Sequence, residues 1–222
     1  MILAVTAGKG GVGKSTVALN LANALDAVVV DADLGMADLP DGRGPDLHDV
    51  LAGRAGPLEA VREIGPVSVL TCGRSLAGTR AADPTGLDDA IRTVEREYGR
   101  VVVDCPAGLQ GDAGVPILAA TACLLVTRPT APALADAIRT REFARTVGTP
   151  LARVVVNRAP ETIRTEPIAS TLGAPVTTLP ESDLLATAQR AGRPVEAVAP
   201  ESVPAQRFDD LAEAVHSAVS SS

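Results

Sequence analysis

The chain of 222 residues is poor in aromatic side chains, with no Trp, one Tyr and two Phe. Apolar residues nevertheless make up 46% of the sequence. A chain of this length forms one α/β domain that buries about three quarters of its unfolded surface. Its core must therefore be built from Ala, Val, Leu and Ile, and apolar runs such as 28–30 and 101–103 are typical of strands buried on both faces.

Lysine is almost absent, since only two of the 20 basic residues are Lys and the rest are Arg. The formal net charge is −7 and the isoelectric point is about 4.9. An excess of acid disfavours general binding of polyanions and of anionic lipid surfaces. We therefore expect neither DNA binding nor stable membrane binding.

The few cysteines and histidines form no recognisable site. Cys72, Cys105 and Cys123 are far apart and lack CxxC or CxxH spacing, which excludes a disulfide framework and a zinc site of the usual pattern. We expect reduced thiols in or near the core of a cytoplasmic protein. His48 and His216 have no partner in the sequence pattern and are expected at the surface.

No segment indicates export or membrane insertion. The apolar start at 1–7 has no preceding basic residues and continues directly into glycines, which is not the pattern of a signal peptide. No run approaches the roughly 18 apolar residues that span a bilayer. We expect a single cytoplasmic domain over 1–222 with a flexible tail at 220–222.

Strand-like and helix-like runs alternate along the chain. This alternation predicts one α/β domain with a mostly parallel sheet of about seven strands and helices on both faces. Gly35–Gly44 is rich in Gly, Asp and Pro and is predicted to be an exposed loop that moves or binds a partner. The predicted strands are Ile2–Ala7, Ala27–Asp31, Val67–Thr71, Arg100–Asp104, Ala122–Thr127, Arg153–Asn157 and Pro175–Leu179. The predicted helices are Lys14–Leu25, Gly86–Tyr98, Ala113–Ala120, Ala133–Val147, Glu166–Leu172, Ser182–Ala191 and Pro204–Val219.

A phosphate-binding loop follows the first predicted strand. The sequence Gly8-Lys9-Gly10-Gly11-Val12-Gly13-Lys14-Ser15 fits GxxxxGK[ST] and leads into a predicted helix. Its backbone amides and the positive end of the helix dipole are suited to bind phosphates. We expect Lys14 to reach the β- and γ-phosphates, Ser15 to ligate Mg²⁺ and Thr16 to contact the α-phosphate.

Both lysines of the chain, Lys9 and Lys14, lie inside this loop. A compact ammonium fits between phosphates in a tight loop better than a planar guanidinium does. The placement of the two lysines therefore supports a phosphate site.

Carboxylates follow two further apolar runs. Asp31 and Asp33 are two residues apart at the end of one predicted strand, and Asp104 ends another. The carboxyl end of a parallel sheet is where ligands of α/β folds bind, so Asp104 is expected to hold Mg²⁺ through water. Gly108 is expected to offer its amide to the γ-phosphate, which would make Pro106–Gln110 a switch that senses hydrolysis. The alternative is that these residues are helix caps or turn residues.

Three blocks of this sequence resemble the MinD/ParA family of deviant Walker A ATPases: 9–16 (KGGVGKST), 30–35 (VDADLG) and 103–108 (VDCPAG). Shorter matches lie at 156–158 and 179–182. The resemblance implies an ATPase that uses ATP and Mg²⁺. It implies that Lys9 reaches the ATP of a partner subunit, that Asp33 positions or activates the attacking water, and that Asp104 holds Mg²⁺. It also implies a base pocket formed by Asn157, Arg158, Pro180 and Glu181, for which ordinary strand-end and turn roles are the alternative.

The C-terminal segment departs from membrane-cycling relatives. Its apolar stripe at 208–219 is rich in Ala and Val, its polar face is acidic, and no Lys or Arg follows Arg207. A membrane-surface helix has a basic polar face instead. We expect this helix to pack on the domain.

The leading functional hypothesis is an ATP-dependent homodimer that hydrolyses ATP slowly, responds to an unknown protein activator, and positions or partitions a cargo. A metabolic ligase of the dethiobiotin-synthetase type uses the same fold but needs a substrate pocket that the sequence does not reveal. A regulatory module that holds ATP without turnover is the third possibility, although Asp33 and Asp104 speak against it.

Overall fold

A computed structural model describes residues 1–35, 39, 43–108 and 114–220 of the chain. Eight strands in this part form one sheet in the order β3-β4-β2-β5-β1-β6-β7-β8. Every neighbouring pair is parallel except β3 and β4, which are antiparallel. The strands are β1 (Ile2–Thr6), β2 (Val28–Asp31), β3 (Val61–Ile64), β4 (Val67–Leu70), β5 (Val101–Asp104), β6 (Ala122–Thr127), β7 (Leu151–Asn157) and β8 (Val176–Leu179).

Helices connect these strands. Those found in the described residues are α1 (Lys14–Ala24), α2 (Leu47–Leu51), α3 (Pro57–Ala60), α4 (Leu76–Ala81), α5 (Leu87–Tyr98), α6 (Gly114–Ala119), α7 (Ala131–Thr146), α8 (Glu166–Leu172), α9 (Asp183–Arg190) and α10 (Val203–Ser220). No helix in this part of the chain is long and apolar enough to cross a bilayer.

The predicted fold class is confirmed, and all seven predicted strands are present within two residues at each end. Strand β3 was not predicted, because it lies at the edge of the sheet and its residues Arg62 and Glu63 interrupt the apolar pattern. The short helices α2, α3 and α4 were not predicted either. Most of the loop predicted at Gly35–Gly44, together with Ala113 and the last two residues of the tail, lies outside the described residues.

The central strands are buried along their whole length because helices cover both faces of the sheet. In β1, Leu3 and Val5 face one core and Ile2 and Ala4 face the other, as strand alternation requires. Phe208 is the sole fully buried aromatic among the described residues, so the cores consist of aliphatic side chains, as the composition predicts. All three cysteines are buried.

Helix α10 packs on this domain, as expected. Phe208, Leu211 and Val215 are at most 2% exposed and belong to the same core as residues of α1. His216, on the other side of α10, is exposed as predicted. The expectation for His48 is wrong, because its side chain is only 1% exposed beneath the segment that follows β2.

Candidate functional site

The predicted phosphate loop and both carboxylate-bearing strands meet at the centre of the sheet. Strand β1, which leads into the loop, pairs with β5, and β5 pairs with β2. Asp31 and Asp104 are register partners at the carboxyl ends of β2 and β5. The sheet therefore brings residues that are more than 70 positions apart in sequence to the edge where α/β folds bind ligands.

The glycines of the loop serve different purposes. Gly11 and Gly13 have φ angles of 75° and 96°, which residues other than glycine rarely adopt. A Cβ on Gly13 would also lie 2.1 Å from Nδ2 of Asn157, and one on Gly8 would lie 2.5 Å from the backbone of Asp136 in α7. At Gly10, by contrast, a Cβ would meet no described atom within 4 Å. The loop is thus tightly packed on its protein side and open above Gly10.

Lys14 and Asp104 form a buried ion pair beneath the loop. Lys14 Nζ donates to Asp104 Oδ1 at 2.5 Å, and the residues are 6% and 0% exposed. Burial is the largest single effect and lowers the pKa of Lys14, but the charge and hydrogen bond of Asp104, with smaller effects of Cys105 and Asp31, together raise the pKa above its ordinary value. The ammonium is therefore charged in the absence of any ligand.

Asp31 is a second, fully buried carboxyl group beside this pair. Its oxygens accept hydrogen bonds from the backbone N–H groups of Asp33 at 3.2 Å and Leu39 at 3.4 Å. Burial and the nearby Asp104 carboxylate raise the pKa of Asp31 to about 7, against the opposing effects of these hydrogen bonds and of Lys14. Asp31 thus supports the segment that carries Asp33.

A cavity of about 680 Å³ opens above the loop, which is within the usual size range of ligand pockets. Asp33 is half-buried and lines it beside Lys9 and Lys14. The lining residues in the described part of the chain are Lys9, Gly10, Gly11, Gly13, Lys14, Ser15, Thr16, Asp33, Gly35, Pro106, Ala107 and Gln189. The structure therefore gathers most of the predicted phosphate loop and Asp33 around one cavity, whereas Gly8, Val12, Asp104 and Gly108 are not among these lining residues.

Gln189 is a lining residue that the sequence analysis did not find. Its Oε1 accepts a hydrogen bond of 2.7 Å from the hydroxyl of Thr16, which links α9 to the start of α1. Gln189 lies inside a helix without any motif, so no sequence signal marks it.

Asn157 lies against the phosphate loop. Its Nδ2 donates to the Val12 carbonyl at 2.8 Å, and its Oδ1 accepts from the Arg158 N–H at 2.9 Å. Arg158 is exposed with a φ of 52°, and Pro180 and Glu181 follow β8, the register neighbour of β7. The four residues share one edge of the sheet, and their contact with a base stays a prediction.

The segment after β5 covers another side of the cavity. Pro106 and Ala107 contribute to its lining, and the Gly108 N–H donates to the Ala7 carbonyl at 3.0 Å. In this structure the Gly108 amide is thus bonded to the residue before the loop, so its contact with a γ-phosphate remains a prediction. Leu109 and Gln110 of the predicted switch lie outside the described residues.

Lys9 sits at the outer rim of the site. It is half-buried and lines both the main cavity and a neighbouring depression of about 420 Å³ formed with Asp136 and Arg139 of α7. Its position differs from that of Lys14, which is enclosed beneath the loop. Lys14 therefore faces the main cavity, whereas Lys9 lies between that cavity and the depression beside α7.

A glycine-rich loop between a central parallel strand and a helix, with a buried Lys and Asp below it, defines a P-loop nucleotide-binding protein. The family model of the CobQ/CobB/MinD/ParA nucleotide binding domain matches residues 3–195. The chain belongs to this family, and the expected resemblance to MinD/ParA proteins is confirmed.

Individual relatives agree with this assignment. An uncharacterised ATP-binding protein of Methanocaldococcus jannaschii is 36% identical over 169 residues, which cover 71% of this chain and 64% of that protein. This chain therefore matches less than two thirds of that relative's length. The cell division ATPase MinD of Pyrococcus furiosus is 32% identical with a TM-score of 0.90, over 97% of this chain and 98% of that one. MinD of Pyrococcus horikoshii, solved with Mg-ADP, is 32% identical with a TM-score of 0.89, and the match covers 96% of this chain and 95% of that one.

The raised pKa of Asp31 predicts how stability depends on pH without ligand. The unfolded carboxyl titrates near 3.8 and the folded one near 7, so the folded state holds more protons between these values and the free energy of unfolding falls as the pH rises through them. Asp31→Asn, which cannot ionise, should flatten this decline. Chemical denaturation at about pH 5 and about pH 8, without Mg²⁺ or nucleotide, measures it. Asp89→Asn on the exposed face of α5 is the control, and an unchanged slope in Asp31→Asn would contradict the prediction.

Proposed function

We propose that this protein is a Mg-ATP-dependent ATPase switch that dimerises on ATP and hydrolyses it to ADP and phosphate. The observation that carries the proposal is the charged Lys14 held by Asp104 beneath a glycine-rich loop that lines a cavity large enough for a nucleotide. The Mg-ADP complex of a MinD 32% identical to this chain supports the choice of ligand.

The loop would bind the triphosphate through its amides and Lys14. Space above Gly10 and the left-handed backbone at Gly11 and Gly13 let phosphate oxygens approach the N–H groups closely. Thr16 would exchange its bond with Gln189 for one to the α-phosphate. Mg²⁺ prefers oxygen ligands. The Ser15 hydroxyl would bind the ion directly and Asp104 would hold it through water, and the ion would add positive charge beside the phosphates.

Hydrolysis requires a water molecule aimed at the γ-phosphorus. Asp33 lines the cavity and its backbone N–H is held by Asp31, so its carboxylate would orient that water and accept hydrogen bonds from it. The water oxygen bonds to the γ-phosphorus as the bond to the β–γ bridging oxygen breaks. One water proton stays on the product and the other passes by way of Asp33 to solvent, which leaves ADP and hydrogen phosphate. Lys14 stays in place to balance the charge on the bridging oxygen.

Lys9 gives the switch its dependence on a second subunit. Its rim position lets it reach outward, towards the ATP of a partner copy, and add positive charge at that γ-phosphate in the manner of an arginine finger. ATP would then join two subunits, and hydrolysis would release them. A protein activator and a positioned cargo complete the proposal, consistent with MinD relatives that act in cell division.

Replacing Lys14 tests the phosphate site. Lys14→Ala should abolish Mg-ATP binding, with Kd raised at least about a hundredfold, because the enclosed ammonium is lost. Lys14→Gln keeps an N–H donor for Asp104 while removing the charge, so it separates affinity from folding. Calorimetry gives Kd and circular dichroism checks the fold. A folded Lys14→Gln protein with wild-type affinity would contradict the assignment.

Replacing Lys9 tests the subunit contact separately. Lys9→Ala should bind Mg-ATP within about threefold of wild type yet fail to dimerise, because its charge acts on the other subunit's nucleotide. Size-exclusion chromatography with light scattering, using a slowly hydrolysed ATP analogue, measures the mass. Arg54→Ala removes one exposed charge elsewhere and should dimerise normally. Dimer formation by Lys9→Ala would refute the assignment.

Asn157 can be tested for its two possible roles with two ligands. If it braces the loop through Val12, Asn157→Ala should weaken the binding of inorganic triphosphate and of ATP by similar factors, about tenfold. If it contacts only adenine, ATP alone should bind less well. We expect the first result from the hydrogen bond seen here, and calorimetry with both ligands decides.

A further inference from the structure

The backbone of the segment after β2 is held by two buried side chains outside the phosphate loop. Cys72 Sγ donates to the Asp33 carbonyl at 3.2 Å, and His48 Nε2 donates to the Leu34 carbonyl at 3.0 Å. The sulfur and Nε2 are 3.3 Å apart, so the two residues also contact each other. Two successive carbonyls are therefore bound by one pair of touching side chains.

The hydrogen-bond pattern fixes which groups act as donors. A carbonyl oxygen only accepts, so Nε2 carries the proton of the imidazole. Burial, with smaller effects from Asp31, Asp33 and Asp46, raises the pKa of the Cys72 thiol far above its ordinary value. Cys72 is therefore a thiol donor and is not a reactive thiolate.

The pair rests on a rigid base. The N–H groups of Leu47 and His48 donate to the carbonyls of Thr71 and Cys72 at 2.8 and 3.3 Å, which fastens the first turn of α2 to the end of β4. Asp46 caps α2 through the Asp49 N–H at 3.0 Å, and its own N–H donates back to Asp49. The donors are thus fixed before any ligand binds.

Helix α4 closes over the imidazole from the other side. A Cβ on Gly78 would lie 3.0 Å from His48 Nδ1 and 2.7 Å from the Ser75 hydroxyl, so glycine leaves room for the ring. Nδ1 is buried and has no hydrogen-bond partner among the described residues. An apolar side chain could fill the same space and would bury no unpaired nitrogen. The feature that distinguishes His48 from such a side chain is therefore its hydrogen bond to the Leu34 carbonyl.

The Asp33 backbone is consequently fixed at both its N–H group and its carbonyl group. Its N–H donates to Asp31 Oδ1 at 3.2 Å, its carbonyl accepts from Cys72, and the next carbonyl accepts from His48. Asp33 also lines the cavity. A displacement of about 1 Å in a catalytic group is enough to slow a reaction by orders of magnitude.

We propose that His48 and Cys72 are positioning residues that aim the Asp33 carboxylate into the nucleotide cavity by holding the carbonyls of Asp33 and Leu34. The inference rests on the proposed role of Asp33 in ATP hydrolysis. It adds that α2 and the residues directly after β4 set the rate of hydrolysis through the backbone after β2.

Paired variants separate the loss of a hydrogen-bond donor from the loss of side-chain packing. Cys72→Ala and His48→Leu remove the donors and should lower kcat about tenfold while the KM for ATP stays within about twofold, because the phosphate loop is untouched. Cys72→Ser and His48→Gln restore an O–H or N–H donor and should recover most of kcat. Cys123→Ala truncates an equally buried thiol in β6 and should leave kcat unchanged.

Phosphate release at steady state over a series of ATP concentrations gives kcat and KM, and thermal unfolding confirms that each variant is folded. In an Asp33→Ala background, Cys72→Ala should cause no further loss, since a residue that acts through Asp33 has nothing left to position. Folded Cys72→Ala and His48→Leu proteins with wild-type kcat would overturn the inference, as would equal losses in Cys123→Ala. If His48→Leu does not fold, the Cys72 variants decide.

The two proposals fail in distinguishable ways. If Asp33→Ala hydrolyses ATP at the wild-type rate, the proposed role of Asp33 falls and the positioning role falls with it. If Asp33→Ala is inactive while Cys72→Ala and His48→Leu keep full activity, only the positioning inference is lost.

Discussion

The ion pair between Lys14 and Asp104 is the interaction on which the site depends. Moving an ammonium and a carboxylate out of water is costly, and the contact is tolerated because each group neutralises the other at 2.5 Å. A triphosphate presents more negative charge to Lys14 than one carboxylate does. Binding it would free Asp104 for the magnesium ion, so the pair keeps both groups in place and charged until the nucleotide arrives.

The parallel sheet makes this arrangement possible. Because β2, β5 and β1 are neighbours and run in the same direction, two carboxylates and the phosphate loop arrive together at one edge. Burial, together with the Asp104 carboxylate that the same register places nearby, raises the pKa of Asp31 to about 7. One consequence is that the ligand-free site lacks the full negative charge that its carboxyl groups could carry at neutral pH.

Local sequence patterns were sufficient for the fold class and for most of the cavity lining. The phosphate loop is contiguous, and the buried strands β1, β2 and β5 are unbroken apolar runs ending at the site, so both are visible in the chain itself. The edge strand β3 was not predicted because a half-exposed strand carries charged residues such as Arg62 and Glu63.

Contacts between distant segments could not be predicted. The bond from Asn157 to Val12 joins residues 145 positions apart, and that from Thr16 to Gln189 joins residues 173 apart. His48 was misjudged for a related reason, because its burial depends on the packing of α2 under the segment after β2 and on the space left by Gly78 in α4. A lone histidine between Leu47 and Asp49 shows none of this.

The central claim is that the backbone amides of the loop, together with Lys14, bind the triphosphate. The most direct measurement is a titration of ¹⁵N-labelled protein with Mg-ATP followed by amide NMR spectroscopy. The account predicts that the amides of 10–16 show the largest saturable shifts, accompanied by smaller ones at Asp33 and Asp104. Saturable shifts centred elsewhere, or none at all in the folded protein, would contradict it.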